Sequence, residues 1–229
     1  NSLGDSQQAL TLFKKALHII REVENKQDEA TILNNIGNAY DNSGDKEQAL
    51  KFYNQALSLQ RQLGDKEGEA TTLINIGTVY YSKENKQGAL DSFNRALSLF
   101  REVRYKFGEA ITLNNIGVDY SDLGKNQQAL KSYNQALPLK RQVGDKDGEA
   151  RVIHNIASLQ KDNGNLQQAL TNSKVAVDIV ENLRTKVDSN DLRTSYFAIM
   201  QDVYRGNIDI LMQLHKRNPS KGYDAQALA

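Results

Sequence analysis

Three histidines, no cysteine and 28 acidic side chains are the groups with which this 229-residue chain could do chemistry. His18 and His215 stand near opposite ends and His154 stands alone, too sparse for a metal cluster or a catalytic pair. Without cysteine there is no thiol nucleophile, no Cys-bound zinc and no disulfide. Neither HExxH nor Gly-x-Ser-x-Gly occurs, and the glycines do not gather into a phosphate loop. No catalytic residue, metal site or cofactor is therefore expected, and the chain is not read as an enzyme. The acidic residues show one regularity: Glu29, Glu69, Glu109 and Glu149 recur every 40 positions. Each falls at a helix start, where negative charge favours the helix dipole, and that is a sufficient reason for it.

A regular interval implies regular elements to carry it. Ala-Leu begins at Ala9, Ala49, Ala89, Ala129 and Ala169, and a second alanine follows at Ala16, Ala56, Ala96, Ala136 and Ala176. Asn-Ile-Gly starts at Asn35, Asn75 and Asn115 and becomes Asn155-Ile156-Ala157. Each period holds two helical patterns. Ala30, Leu33, Ile36, Gly37 and Tyr40 share one helix face, as do Ala49, Leu50, Tyr53, Ala56, Leu57 and Leu59 on the next helix. Gly44 ends the first in the left-handed conformation. Asp45 with Gln48 reads as an N-cap and its capping-box partner, and Gly64-Asp65 repeats that punctuation. A helix pair repeated every 40 residues is an all-α fold of the α-solenoid kind. Gly37, Gly77 and Gly117 lie inside helices, where glycine costs about 1 kcal/mol relative to alanine. They mark close helix approaches, with Ala49, Ala89 and Ala129 as the expected contacts and the neighbouring aromatics as bulk. Asn35, Asn75, Asn115 and Asn155 are expected to bond backbone between helices. Pro138, inside a second-helix pattern, predicts a kink near 134–138 or an early helix end.

Leu33, Ile36-Gly37, Tyr40, Ala49, Tyr53 and Ala56, echoed at 73–96 and 113–136 and more weakly at 153–176, resemble the tetratricopeptide repeat signature. The 40-residue period, without the usual proline, is similar to the longer repeats of kinesin light chains and of polarity adaptors. The resemblance implies a right-handed superhelix: a half repeat at 1–23, full repeats at about 24–63, 64–103, 104–143 and 144–183, and a helical extension at 184–229. It also implies a concave surface lined by first helices. The positions 1, 4, 8 and 11 after each Glu-Ala alanine then face a ligand. They are Thr31, Asn34, Asn38 and Asp41; Thr71, Ile74, Thr78 and Tyr81; Ile111, Asn114, Val118 and Ser121; and Arg151, His154, Ser158 and Lys161. Such a face is amide-rich at one end, partly apolar in the middle and basic at the far end. It suits an extended peptide or a partner helix. The Lys and Arg of the family's two-carboxylate clamp are missing, which disfavours chaperone tails.

After residue 183 the period is lost. Residues 184–190 read as a connector, and Leu192, Tyr196, Ile199, Val203, Ile208, Leu211 and His215 as one face of a long helix. Asn218 to Gly222 ends it, and Tyr223 begins another. Leu192 to Ala198, with Gln201-Asp202, Tyr204 and Gly222 to Leu228, resembles the connector that precedes a caspase-like CHAT module in bacterial tetratricopeptide repeat proteins. That implies a sensing or scaffolding arm of a larger effector. Asn1 in place of an initiator Met reads the same way, as a piece of a longer chain. A formal net charge of +1 leaves no basic footprint for nucleic acid. No apolar run approaches the roughly 18 residues of a membrane span, and no signal peptide opens the chain. The expectation is a cytoplasmic protein binding a protein or peptide, or alternatively covered by its own further domain or self-associated.

Overall fold

The computed structural model describes the backbone of residues 2–184 and 190–228, and side chains over 7–184 and 200–227. Helices are its regular structure: α1 (Ser2–Glu22), α2 (Lys26–Asn42), α3 (Lys46–Leu63), α4 (Lys66–Ser82), α5 (Lys86–Glu102), α6 (Lys106–Asp122), α7 (Asn126–Gln142), α8 (Lys146–Asp162), α9 (Leu166–Arg184), α10 (Asn190–Arg217) and α11 (Tyr223–Leu228). No strand occurs among the described residues. The chain divides into two compact units, Asn1–Asp119 and Tyr120–Ala229.

In the first unit α1 packs on α2, α2 on α3, α3 on α4 and α4 on α5. Ala49, Tyr53, Leu57, Ala70, Leu73, Ile76, Val79, Ala96 and Phe100 form one continuous core across three helices. Side chains cap the helix starts: Asp45 accepts from the Gln48 amide at 3.1 Å and Asp65 from the Gly68 amide at 2.9 Å, while the Asp45 amide donates to the Tyr40 carbonyl at 3.0 Å and not to the Gln48 side chain that a capping box would use. Gly64 closes α3 at φ 69°, which glycine adopts without strain. Glu24, Glu84 and Arg104 hold the equivalent turns at φ 54–59° without that freedom.

The close approaches differ from expectation in one respect. A side chain added at Gly37 or Gly77 would meet the ring of Tyr53 or Phe93 at 2.5 Å. The mid-helix glycines therefore make room for an aromatic ring of the second helix, not for its alanine. Ala49 and Ala89 are fully buried in the same seam.

In the second unit α7 packs on α8 and α8 on α9, while α10 packs on both α8 and α9 and α11 on α10. α7 passes through Pro138 to Gln142 and does not end early. Pro138 is exposed, so its ring meets solvent and the packed face is undisturbed. Val203, Ile210, Leu211 and Leu214 of α10 are buried. A short 3-10 turn at Pro219–Lys221 and Gly222 at φ 65° separate α10 from α11. The connector at 185–189 and the side chains of Leu192 to Ala198, which carry much of the CHAT-connector resemblance, lie outside the described residues.

Candidate functional site

The outer positions of the first helices are all exposed or half-buried, and Ile74 among them packs against the core. Their chemistry is largely committed within the chain. The hydroxyls of Thr31, Thr71 and Thr78 donate to the carbonyls of Gln27, Glu67 and Ile74 on their own helices, at 3.0–3.1 Å. They therefore present lone pairs outward. Asn34 Oδ1 accepts from Thr72 Oγ1 and from Asn75 Nδ2, each at 3.1 Å, and so ties α2 to α4. Asn75 thus bonds a side chain of the preceding repeat and not backbone as expected. Asn38 Oδ1 accepts from the Tyr53 hydroxyl at 2.7 Å, while burial pushes the Tyr53 phenol above its ordinary pKa. Asp41 pairs with Lys46 at 2.7 Å.

Two cavities gather part of this set in the first unit. One, of about 200 Å³, is lined by Thr78, Tyr81, Phe93, Asn115 and Val118. Its walls are mainly apolar, with the ammonium of Lys86 lying 3.5 Å over the Tyr81 ring and 3.9 Å from the buried Asp119. The other, of about 320 Å³, is lined by Thr31, Asn34, Gln60, Asp65, Glu67, Gly68, Thr71 and Thr72. Asn38, Asp41, Ile74, Ile111 and Asn114 line neither. The other lining residues are Gln60, Glu67, Gly68, Thr72 and Phe93, which the spacing does not place on this face, and Asp65 and Asn115, which it reads as a cap and an interhelix contact. Only comparison of residues 40 apart could have flagged one of them: position 60 holds Gln where 100 holds Phe and 140 holds Lys.

In the second unit Ser121 and Ser158 are half-buried and Arg151 is exposed. Of the basic far end, Lys161 is not open. Lys161 donates to Asp209 of α10 at 2.7 Å, and this bond holds Lys161 above and Asp209 below their ordinary pKa values. His154 is half-buried against α10, where a side chain added at Gly206 would meet its Cε1 at 2.6 Å. Burial holds the imidazole below its ordinary pKa, Asp202 opposing and Lys161 assisting.

The recurring acids do more than complement helix dipoles. Arg21 and Lys26 clamp Glu29 at 2.8 and 3.0 Å, Arg101 and Lys106 clamp Glu109 at 2.9 Å each, and Arg141 and Lys146 clamp Glu149 at 2.7 and 2.8 Å. Arg61 holds Glu69 at 2.7 Å, while Lys66 of that turn pairs with Glu102. Among the described residues no group of three His, Asp or Glu side chains is placed to hold a metal ion. No helix among the described residues is long and apolar enough to cross a membrane.

The sequence model of the tetratricopeptide repeat matches residues 1–62, 47–102 and 108–182. The chain belongs to the tetratricopeptide repeat family. No curated protein matches the chain. Solved structures with the same fold include BtubC (BKLC) of P. vanneervenii, at 17% identity and TM-score 0.69, covering 98% of this chain and 90% of that one. Aspartyl phosphate phosphatase F of Bacillus subtilis is similar at 13% identity and TM-score 0.74, over 99% of this chain and 66% of that one. A signal transduction ATPase of Pyrococcus horikoshii with a tetratricopeptide repeat sensor is similar at 19% identity and TM-score 0.66, over 93% and 34%. In this tetratricopeptide repeat chain the mid-helix glycine meets the aromatic ring of the next helix at Gly37–Tyr53 and Gly77–Phe93.

Proposed function

We propose that this chain is a protein-interaction module without catalytic activity of its own. It receives an extended peptide or a partner helix on the face that carries Thr31, Asn34, Thr71, Thr78, Tyr81 and Val118. The observation that supports this reading is the apolar cavity bounded by Thr78, Tyr81, Phe93, Asn115 and Val118. Its volume of about 200 Å³ suits one apolar side chain, and few polar groups are left inside it to oppose burial. The hydroxyls and amides around it serve a ligand backbone. The repeat boundaries at about 24–63, 64–103, 104–143 and 144–183, and the extension at 184–229, belong to this reading. So does a cytoplasmic place beside a CHAT-type module, which the tail resemblance suggests.

A display library of random peptides, selected on the full chain, tests it. Captured peptides should share an apolar anchor, and Thr78→Phe, which fills the cavity, should weaken them by at least about tenfold. Capture unaffected by Thr78→Phe would place the ligand elsewhere and overturn the reading. A second reading, self-association, is favoured by Leu12 and Ile19 of α1 and Val23 in the turn after it, exposed at 65%, 58% and 64%. Light scattering across concentration distinguishes the two: a mass that doubles, and no longer does so with Leu12→Lys and Ile19→Lys, supports the second.

A further inference from the structure

We infer that the cavity built around Gln60 is a receptor for a cationic side chain, a lysine ammonium, of the peptide partner. This deepens the interaction reading, since Thr31, Asn34 and Thr71 belong to the same face.

One buried acceptor in this cavity is unpaired. Gln60 is 5% exposed, yet its Oε1 has no hydrogen-bond partner. A buried acceptor left unpaired is unfavourable and seeks a donor. The surrounding hydroxyls offer none. Thr31 and Thr71 spend their protons on their own helices, and Thr72 spends its proton on Asn34. Asp65 and Glu67 add two carboxylates, and no Lys or Arg lines the cavity. The start of α4 does not make it an anion site. The amides of Lys66, Gly68 and Glu69 already donate to Gly64, Asp65 and Asp65 respectively. Apart from the amide nitrogens of Asn34 and Gln60, the cavity is thus lined by acceptors, two of them carboxylates.

The chain itself shows what fits such a place. Eighty residues on, Lys140 stands where Gln60 does, Asp145 where Asp65 does and Gly148 where Gly68 does. There Lys140 is 5% exposed and its Nζ donates to Asp145 Oδ2 at 2.6 Å. Its stem lies under Gly148, where an added side chain would meet Lys140 Cδ at 2.7 Å. At the earlier site the amide nitrogen of Gln60 lies under Gly68 in the same way, at 3.0 Å from such a side chain. Asp65 Oδ2 accepts only the neutral Gln27 amide, at 2.8 Å, and a carboxylate oxygen has a second lone pair to offer. The earlier site is the later one with its ammonium removed. A ligand's ammonium would restore it, donating to Asp65 and to Gln60 Oε1.

The test uses the full chain, isotope-labelled, titrated with Nα-acetyl-lysine methylamide while the Gln60 side-chain amide and the Gly68 backbone amide are followed by NMR. The inference requires saturable shifts at both, at least about tenfold weaker for the Nε-acetylated probe, as a charged hydrogen bond is lost. Gln60→Lys, which leaves Gly68 as the reporter, should abolish the Gly68 shift by supplying the ammonium in place. Asp65→Asn, which keeps a capping residue, should weaken them about tenfold. If Gln60→Lys does not fold, Gln60→Phe, the residue found at position 100, serves instead. Equal response to the neutral probe, or a response to sodium sulfate in place of lysine, overturns the inference. Peptide capture that depends on Thr78 but ignores lysine and Gln60→Lys would sink this inference alone. Lysine shifts at Gln60 with no peptide captured would sink the interaction reading alone.

Discussion

At the residue scale, single positions decide how closely two helices meet. Gly77 leaves the space that the Phe93 ring occupies, and an added methyl would lie 2.5 Å from it. Gly77→Ala is expected to destabilise the chain by about 1–3 kcal/mol by overpacking, despite the better helix propensity of alanine. Ala89→Leu in the same fully buried seam is expected to do likewise. Thermal melts check both, and an unchanged midpoint for either would refute this account of helix pairing. The glycines themselves were legible from their spacing. Their partners were not, because ring against glycine and alanine against glycine give the same pattern of small and large residues along the chain. The same limit explains Asn75, whose partner is a side chain on the preceding repeat.

At the element scale, the turns matter most. Gly44, Gly64, Gly124, Gly144 and Gly164 sit at positive φ, while Arg104 adopts φ 58° in an equivalent turn. A side chain in that conformation costs roughly 1–2 kcal/mol. Arg104→Gly is therefore expected to raise stability by about 1 kcal/mol, since the exposed Arg104 side chain buries nothing. Denaturant unfolding measures it; a midpoint that falls would refute the strain argument. Helix starts and stops were readable because capping residues act on their own turn: Asp45 and Asp65 cap as their types predict. Pro138 does not end α7 early, because its effect depends on which face it occupies and an exposed proline lets the helix continue.

At the scale of the whole molecule, the buried acids set the response to pH. Burial alone would raise Glu109 and Glu149. Hydrogen bonds from Lys106 and Arg101, and from Lys146 and Arg141, outweigh it and hold both below the usual glutamate value of 4.5. Carboxylates lowered in the folded state contribute stability that is complete above 4.5 and is lost as pH falls through their folded values. His154, buried and held below 6.5, acts earlier: the unfolded chain takes up its proton first, so stability also falls as pH drops from 6.5. Glu109→Gln is expected to cost up to about 1 kcal/mol at pH 7 and to flatten the loss below pH 4.5. Unfolding curves from pH 3 to 8 would show an unchanged slope if the clamp were idle. The 40-residue period and the helix pairs follow from the sequence by itself, because periodicity and capping are local. Tertiary structure decided which residues share a cavity, that Lys161 is answered by Asp209, and that Gln60 is buried without a donor. Each depends on side chains 20 or more residues apart meeting in space, and no local pattern encodes that meeting.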